Sequence, residues 1–201
     1  MRRIMGVTAG VTMLATMAAA EDITATAQVY SRITAFAMPA GFAGVYENEA
    51  NGSYLLELVP EGQTVEDWSE MITLSAAQGM AAQMPNPLDM AYAIGGGYQE
   101  SCPDTYAGSD EGKQDIAGAD AAHMVMFSCG DGGGYSESTM ILVAVSGEDV
   151  FTLQWAERAD VVQGQMQHDP EVWLPRMASL LSLRLCPVVE GEEPPYPSCL
   201  P

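Results

Sequence analysis

Three apolar runs of strand length, residues 122–129, 138–146 and 150–158, follow one another with only short turns between them. The first turn contains Asp131-Gly132-Gly133-Gly134 and the second is Gly147-Glu148-Asp149. Connections that short cannot carry a parallel crossover, so the three runs are expected to pair as an antiparallel meander. The rest of the chain must supply whatever covers that sheet.

Upstream, residues 23–38 are rich in β-branched and small residues and end at Pro39, which predicts one early strand. Residues 45–49 and 54–59 flank Asn51-Gly52, a strong hairpin signal. Thr64 resembles a helix N-cap, and Val65, Trp68, Met71 and Ile72 fall at helical spacing, so a short helix is expected over 65–72. The Ala- and Met-rich segment 76–84 could continue as helix until Pro85-Asn86-Pro87 breaks it. A further helix is expected after Asn86, weakened by Gly95-Gly96-Gly97. Residues 101–119 are polar and acidic and read as a loop or ragged hairpin. Asp169-Pro170-Glu171 opens an amphipathic helix carrying Val172 through Leu183, which Pro187 ends. Strands, helices, three strands and a helix in that order predict an α+β fold, an antiparallel sheet covered by helices.

Residues 1–20 read as a signal peptide: Arg2 and Arg3, an apolar core, then Ala18-Ala19-Ala20. That assigns 21–187 to a single α+β domain and 188–201 to a Pro/Glu-rich C-terminal tail. The expected location is periplasmic or secreted. No second run of spanning length follows, so no membrane insertion is expected after cleavage. No Cys follows the Ala20 boundary, so lipidation at a mature N-terminal Cys is not expected.

Charge narrows the partners. The full chain carries 27 acidic and seven basic residues, a formal net charge of −20. Arg2 and Arg3 lie in the leader, which leaves Arg32, Lys113, Arg158, Arg176 and Arg184. Nucleic acid and anionic lipid surfaces are therefore not expected partners. Cys102, Cys129, Cys186 and Cys199 are an even set in an exported chain and predict two disulfides. Three connectivities are possible. Cys102–Cys129 and Cys186–Cys199 are preferred, because Cys129 ends a strand-like run entered from Cys102 and the tail can fold back on Cys186.

The layout resembles the Mog1/PsbP/DcrB-like α+β sandwich domains found among bacterial envelope proteins. The residues carrying the resemblance are Met38-Pro39-Ala40-Gly41-Phe42 entering a hairpin, and Glu57 through Thr64 leading to Trp68. The meander from His123 to Arg158 and the closing helix around Trp173 complete it. The resemblance implies a binding or accessory domain and transfers no catalytic residue.

The chemistry-bearing residues admit competing readings. Met80, Met84, His123 and His168 are the candidate ligands of a soft metal such as Cu(I). Met124 and Met126 point away from His123 in a regular strand, however, and Met80 and Met84 fit a helix's inner face. No Gly-x-Ser-x-Gly elbow accompanies the two histidines. The acidic clusters lack calcium-loop spacing, and the glycine runs lack a phosphate-loop continuation. The leading expectation is an acidic, non-enzymatic accessory domain of the cell envelope. It requires no cofactor, and it binds an envelope protein or small ligand of unknown identity. Its oligomeric state is open. A copper-binding protein and a hydrolase of unrecognised type are the alternatives.

Overall fold

Tyr30 and Ser31 break the first extended run in two. Tyr30 takes a φ of 51°, and the chain reverses between β1 (Asp22–Val29) and β2 (Arg32–Pro39), which pair antiparallel. The single strand expected over 23–38 is thus a hairpin. Its turn holds neither Gly nor Pro, so composition did not mark it. The computed structural model describes residues 22–164 and 168–200. The leader, residues 1–20, lies outside the described residues.

The remaining strands are β3 (Phe42–Ala50), β4 (Ser53–Pro60), β5 (Glu70–Ala77), β6 (Tyr106–Gln114), β7 (Ala121–Cys129), β8 (Ser136–Ser146), β9 (Asp149–Ala159) and β10 (Arg184–Pro187). Two helices, α1 (Pro87–Ser101) and α2 (Pro170–Leu181), interrupt them. Asn51-Gly52 forms the expected tight turn, with φ of 53° and 74°. A seven-stranded sheet runs β3-β4-β5-β9-β8-β7-β6, and a three-stranded sheet runs β1-β2-β10. Every neighbouring pair is antiparallel.

Two helical expectations fail. The Thr64 hydroxyl accepts the Glu66 and Asp67 amides at 3.3 and 3.2 Å, which closes a turn rather than starting a helix. From Glu70 the chain is β5, where Ile72 and Met71 pack in different clusters on opposite faces. Segment 78–83 is a chain of turns, one of them tied by the Gly79 amide to Asp149 Oδ1 at 3.0 Å. The ragged segment 101–119 contains the edge strand β6, whose register shifts between Asp110 and Gly112. The helix expected to reach Leu183 ends at Leu181 and gives way to β10.

The two helices that do form start as expected. Asn86 and Asp169 cap them through their side chains, each followed by a Pro. α1 runs through all three glycines. At Gly95 the absence of a side chain is required, because a Cβ there would overlap the Phe127 ring.

Register sorts the large sheet into two faces. On one face, Met124, Leu142, Leu153, Leu74 and Leu56 line up across β7, β8, β9, β5 and β4. The next row is Met126, Met140, Trp155, Ile72 and Leu58. α2 and the small sheet cover this face, adding Phe36, Trp173, Leu180, Leu183 and Leu185 to one core. On the other face α1 lies over β6, β7 and β8, closing a second core of Ala91, Val125, Phe127, Ile141 and Val143. α1 leaves the β9-β5-β4-β3 half of that face open.

Both cysteine pairs close in the preferred connectivity, Cys102–Cys129 and Cys186–Cys199. The first ties the end of α1 to β7. The second holds the tail against the small sheet, where Cys199 is buried with Ile33 and Ala35.

Candidate functional site

The open half-face begins at the sheet edge. Register places Tyr46, Glu57, Thr73 and Gln154 side by side across β3, β4, β5 and β9. The next row is Asn48, Leu55, Ser75 and Thr152. Ser75 Oγ and Thr152 Oγ1 lie 2.5 Å apart and share a hydrogen bond across the floor. Tyr46 is exposed, while Glu57, Thr73 and Gln154 are half-buried. Strand alternation causes this contrast, since Leu56, Leu74 and Leu153 face the opposite core.

Trp68 closes one end of the floor by packing on Val59, Met71 and Ala156. Beyond it stands Arg158. Its guanidinium carbon lies 3.8 Å from the Trp68 ring centroid and 4.3 Å from that of Tyr135. Arg158 Nε donates to Glu137 Oε2 at 3.0 Å, and the Tyr98 hydroxyl donates to Glu137 Oε1 at 2.6 Å. Burial and the Glu137 carboxylate both push the Tyr98 hydroxyl well above its ordinary pKa. Both carboxylate oxygens are thus engaged, and the arginine is held between two rings. This cluster suits a rigid wall better than a proton-transfer pair.

Tyr135 separates two clefts. One, of about 470 Å³, is lined by Gln63, Thr64, Trp68, Ser69 and Arg158. The other, of about 380 Å³, lies between Ile94, Gly97 and Ser101 of α1 and Cys129, Gly132 and Glu137. The open half-face and the two clefts lie on the same side of the large sheet, a recess bordered by α1 and the loop 61–69.

Charge is distributed unevenly around this recess. No Lys, Arg or His lies between Arg32 and Lys113. Arg158 is paired with Glu137, and Arg176 is paired with Glu70 and Glu157 on the opposite face. Glu57 makes no ion pair among the described residues. Burial alone pushes its carboxyl above the usual value.

The expected metal ligands divide between the two faces of the large sheet. His123 lies on the α1 side of β7, with Nε2 at 2.5 Å from Asp110 Oδ1. That hydrogen bond, followed by the Gly112 amide, holds the Asp110 carboxyl below the usual range. Met80 packs against the α1-side core, and Met84 follows one turn later, its amide bonded to the Met80 carbonyl at 2.9 Å. His168 lies on the other side, edge-on to Trp173 at 5.9 Å between centroids. Burial depresses its pKa, opposed by Glu111 and Glu157. Met124 and Met126 join the core opposite His123, as strand alternation requires. Among the described residues no three His, Cys, Asp or Glu side chains are grouped to hold a metal.

The sequence did not single out Tyr46, Glu57, Gln154, Tyr135 or Glu137. Their neighbourhood depends on pairings between separate segments, from about 20 residues apart at Glu137 and Arg158 to about 80 at Thr73 and Gln154. The one available signal was the scarcity of cations, which makes any aromatic-stacked arginine worth locating.

These layers define a PsbP-like α+β sandwich. The solution structure of cyanobacterial PsbP (CyanoP) from Synechocystis superposes with a TM-score of 0.50 at 8% identity, covering 87% of this chain and 98% of that one. LpqN of Mycobacterium tuberculosis, described as involved in cell envelope biogenesis, gives a TM-score of 0.46 at 16% identity, covering 83% and 92%. No protein-family model matches the sequence, and no curated protein does. The likeness establishes the fold.

Proposed function

We propose that this chain is an exported accessory domain of the bacterial cell envelope, a binding module whose partner docks in the recess between α1 and the open half-sheet. The observation that carries the reading is the uncovered β9-β5-β4-β3 face, walled by α1 and capped by the Trp68–Arg158–Tyr135 stack. Half-buried polar side chains beside an aromatic-stacked arginine supply hydrogen-bonding and ring surfaces together, which supports a contact role. Two closed disulfides support an oxidising compartment, because such bonds do not persist in a reducing cytosol. The Arg-Arg leader and its Ala-Ala-Ala boundary support export through the inner membrane.

The test is site-specific photo-crosslinking in cells. A photoreactive residue at Thr73 or Tyr135 is expected to trap one partner in the envelope fraction, and the same residue at Glu190 in the tail is not. Equal capture from the tail, or no capture from either recess position, removes the reading.

A further inference from the structure

The row Tyr46, Glu57, Thr73 and Gln154 offers a ring face, a carboxylate, a hydroxyl and a carboxamide oxygen, aligned across four strands. Cations are recognised by such sets: a ring face attracts them, and oxygens accept their N–H groups. Building on the binding reading above, we propose that this row receives a lysine or arginine side chain from an extended segment of the partner protein.

Three observations select that occupant. First, among the described residues Glu57 has no basic partner: Arg158 is held by Glu137 and the stacked rings, and no basic residue lies between Arg32 and Lys113. A net charge of −20 steers cations toward the molecule and anions away. Second, Glu57 is half-buried and raised in pKa without a counter-charge. A carboxylate partly withdrawn from water and without a counter-charge interacts favourably with a cation placed beside it. Third, β3 is the terminal strand of its sheet, and among the described residues no strand lies beside its outer backbone edge. An extended segment can add to that edge, with alternate side chains turned onto the row. Glu47 and Glu49 on the same strand oppose an acidic one.

The experiment uses the exported, disulfide-closed protein and a blocked Lys-Val-Lys-Val-Lys-Val peptide, read by calorimetry and amide NMR shifts at physiological salt. Shifts centred on Tyr46, Glu57, Thr73 and Gln154 are expected. Glu57→Gln should weaken the peptide about tenfold without lowering the melting temperature. The double variant Glu190→Gln/Glu193→Gln removes twice the charge from the tail and should leave affinity within about twofold. Equal weakening by the tail variant, or shifts spread over the acidic surface, overturns the proposal. Spermidine binding the row as tightly as the peptide overturns the extended-segment occupant. Peptide shifts centred on Tyr135 and Arg158 instead would refute the row while leaving the binding reading intact, whereas that reading falls only with the crosslinking.

Discussion

Leu74 and Leu153 sit side by side on one face of the large sheet and are fully buried, each 0% exposed. Their chain neighbours Thr73 and Gln154 sit side by side on the other face and remain half-exposed. The same two strands therefore serve a core and a surface. On the closed face α2 and the small sheet exclude water, so apolar area stabilises and volume matters. On the open face only Trp68, at one end, packs over β4 and β5, so Thr73 and Gln154 keep part of their hydration and side-chain changes at them are tolerated. Coverage separates the faces, since the backbone is common to both.

The largest test of this contrast is a pair of truncations. Leu153→Ala should destabilise by about 3 kcal/mol in urea melts, through lost burial and a cavity. Thr73→Ala should change stability by less than about 0.5 kcal/mol. Similar values for both would erase the distinction between closed and open face.

A smaller effect is expected along α1, the helix that divides the open face into covered and uncovered halves. Gly95→Ala forces a methyl into the Phe127 ring and should cost about 1–3 kcal/mol. Gly96→Ala meets no neighbour and should stabilise by about 0.5–1 kcal/mol by favouring helix. Thermal melts of the two variants should move in opposite directions.

The smallest effect is in pH dependence, where the two faces should oppose each other. Burial beside Trp173 lowers the His168 pKa from 6.5. Its contribution to stability is therefore present above pH 6.5 and lost as pH falls through the depressed value. Burial raises the Glu57 pKa from 4.5, so its contribution is present below pH 4.5 and lost as pH rises through the raised value. His168→Phe should flatten the acid-side loss in a melting series, and Glu57→Gln should flatten the loss on the rising side. A series unchanged by both variants would remove titration from the contrast.

Much of the scaffold is legible in the residue order itself. Short glycine turns dictated the meander of β7, β8 and β9, because no crossover fits in them. Asn51-Gly52 dictated the β3–β4 hairpin through its positive φ values. The caps at Asn86 and Asp169 marked both helices. Failure concentrated at 65–84, where apolar spacing suits a helix or a strand equally well. There the edge of β9 settled the matter by offering β5 a full ladder of hydrogen bonds. β10 escaped notice because four residues carry too little pattern to declare a strand, and its pairing partner lies far upstream in β2.

Local chemistry is written in consecutive residues, so turns, caps, cysteine parity and the deficit of cations could be read directly from the chain. The recess could not. Tyr46, Glu57, Thr73 and Gln154 become neighbours through strand register, and Glu137 meets Arg158 through the β8–β9 ladder. Register and coverage are set by the packing of the whole molecule, because a side chain's face is decided by which partner its strand finds and by what lies above it.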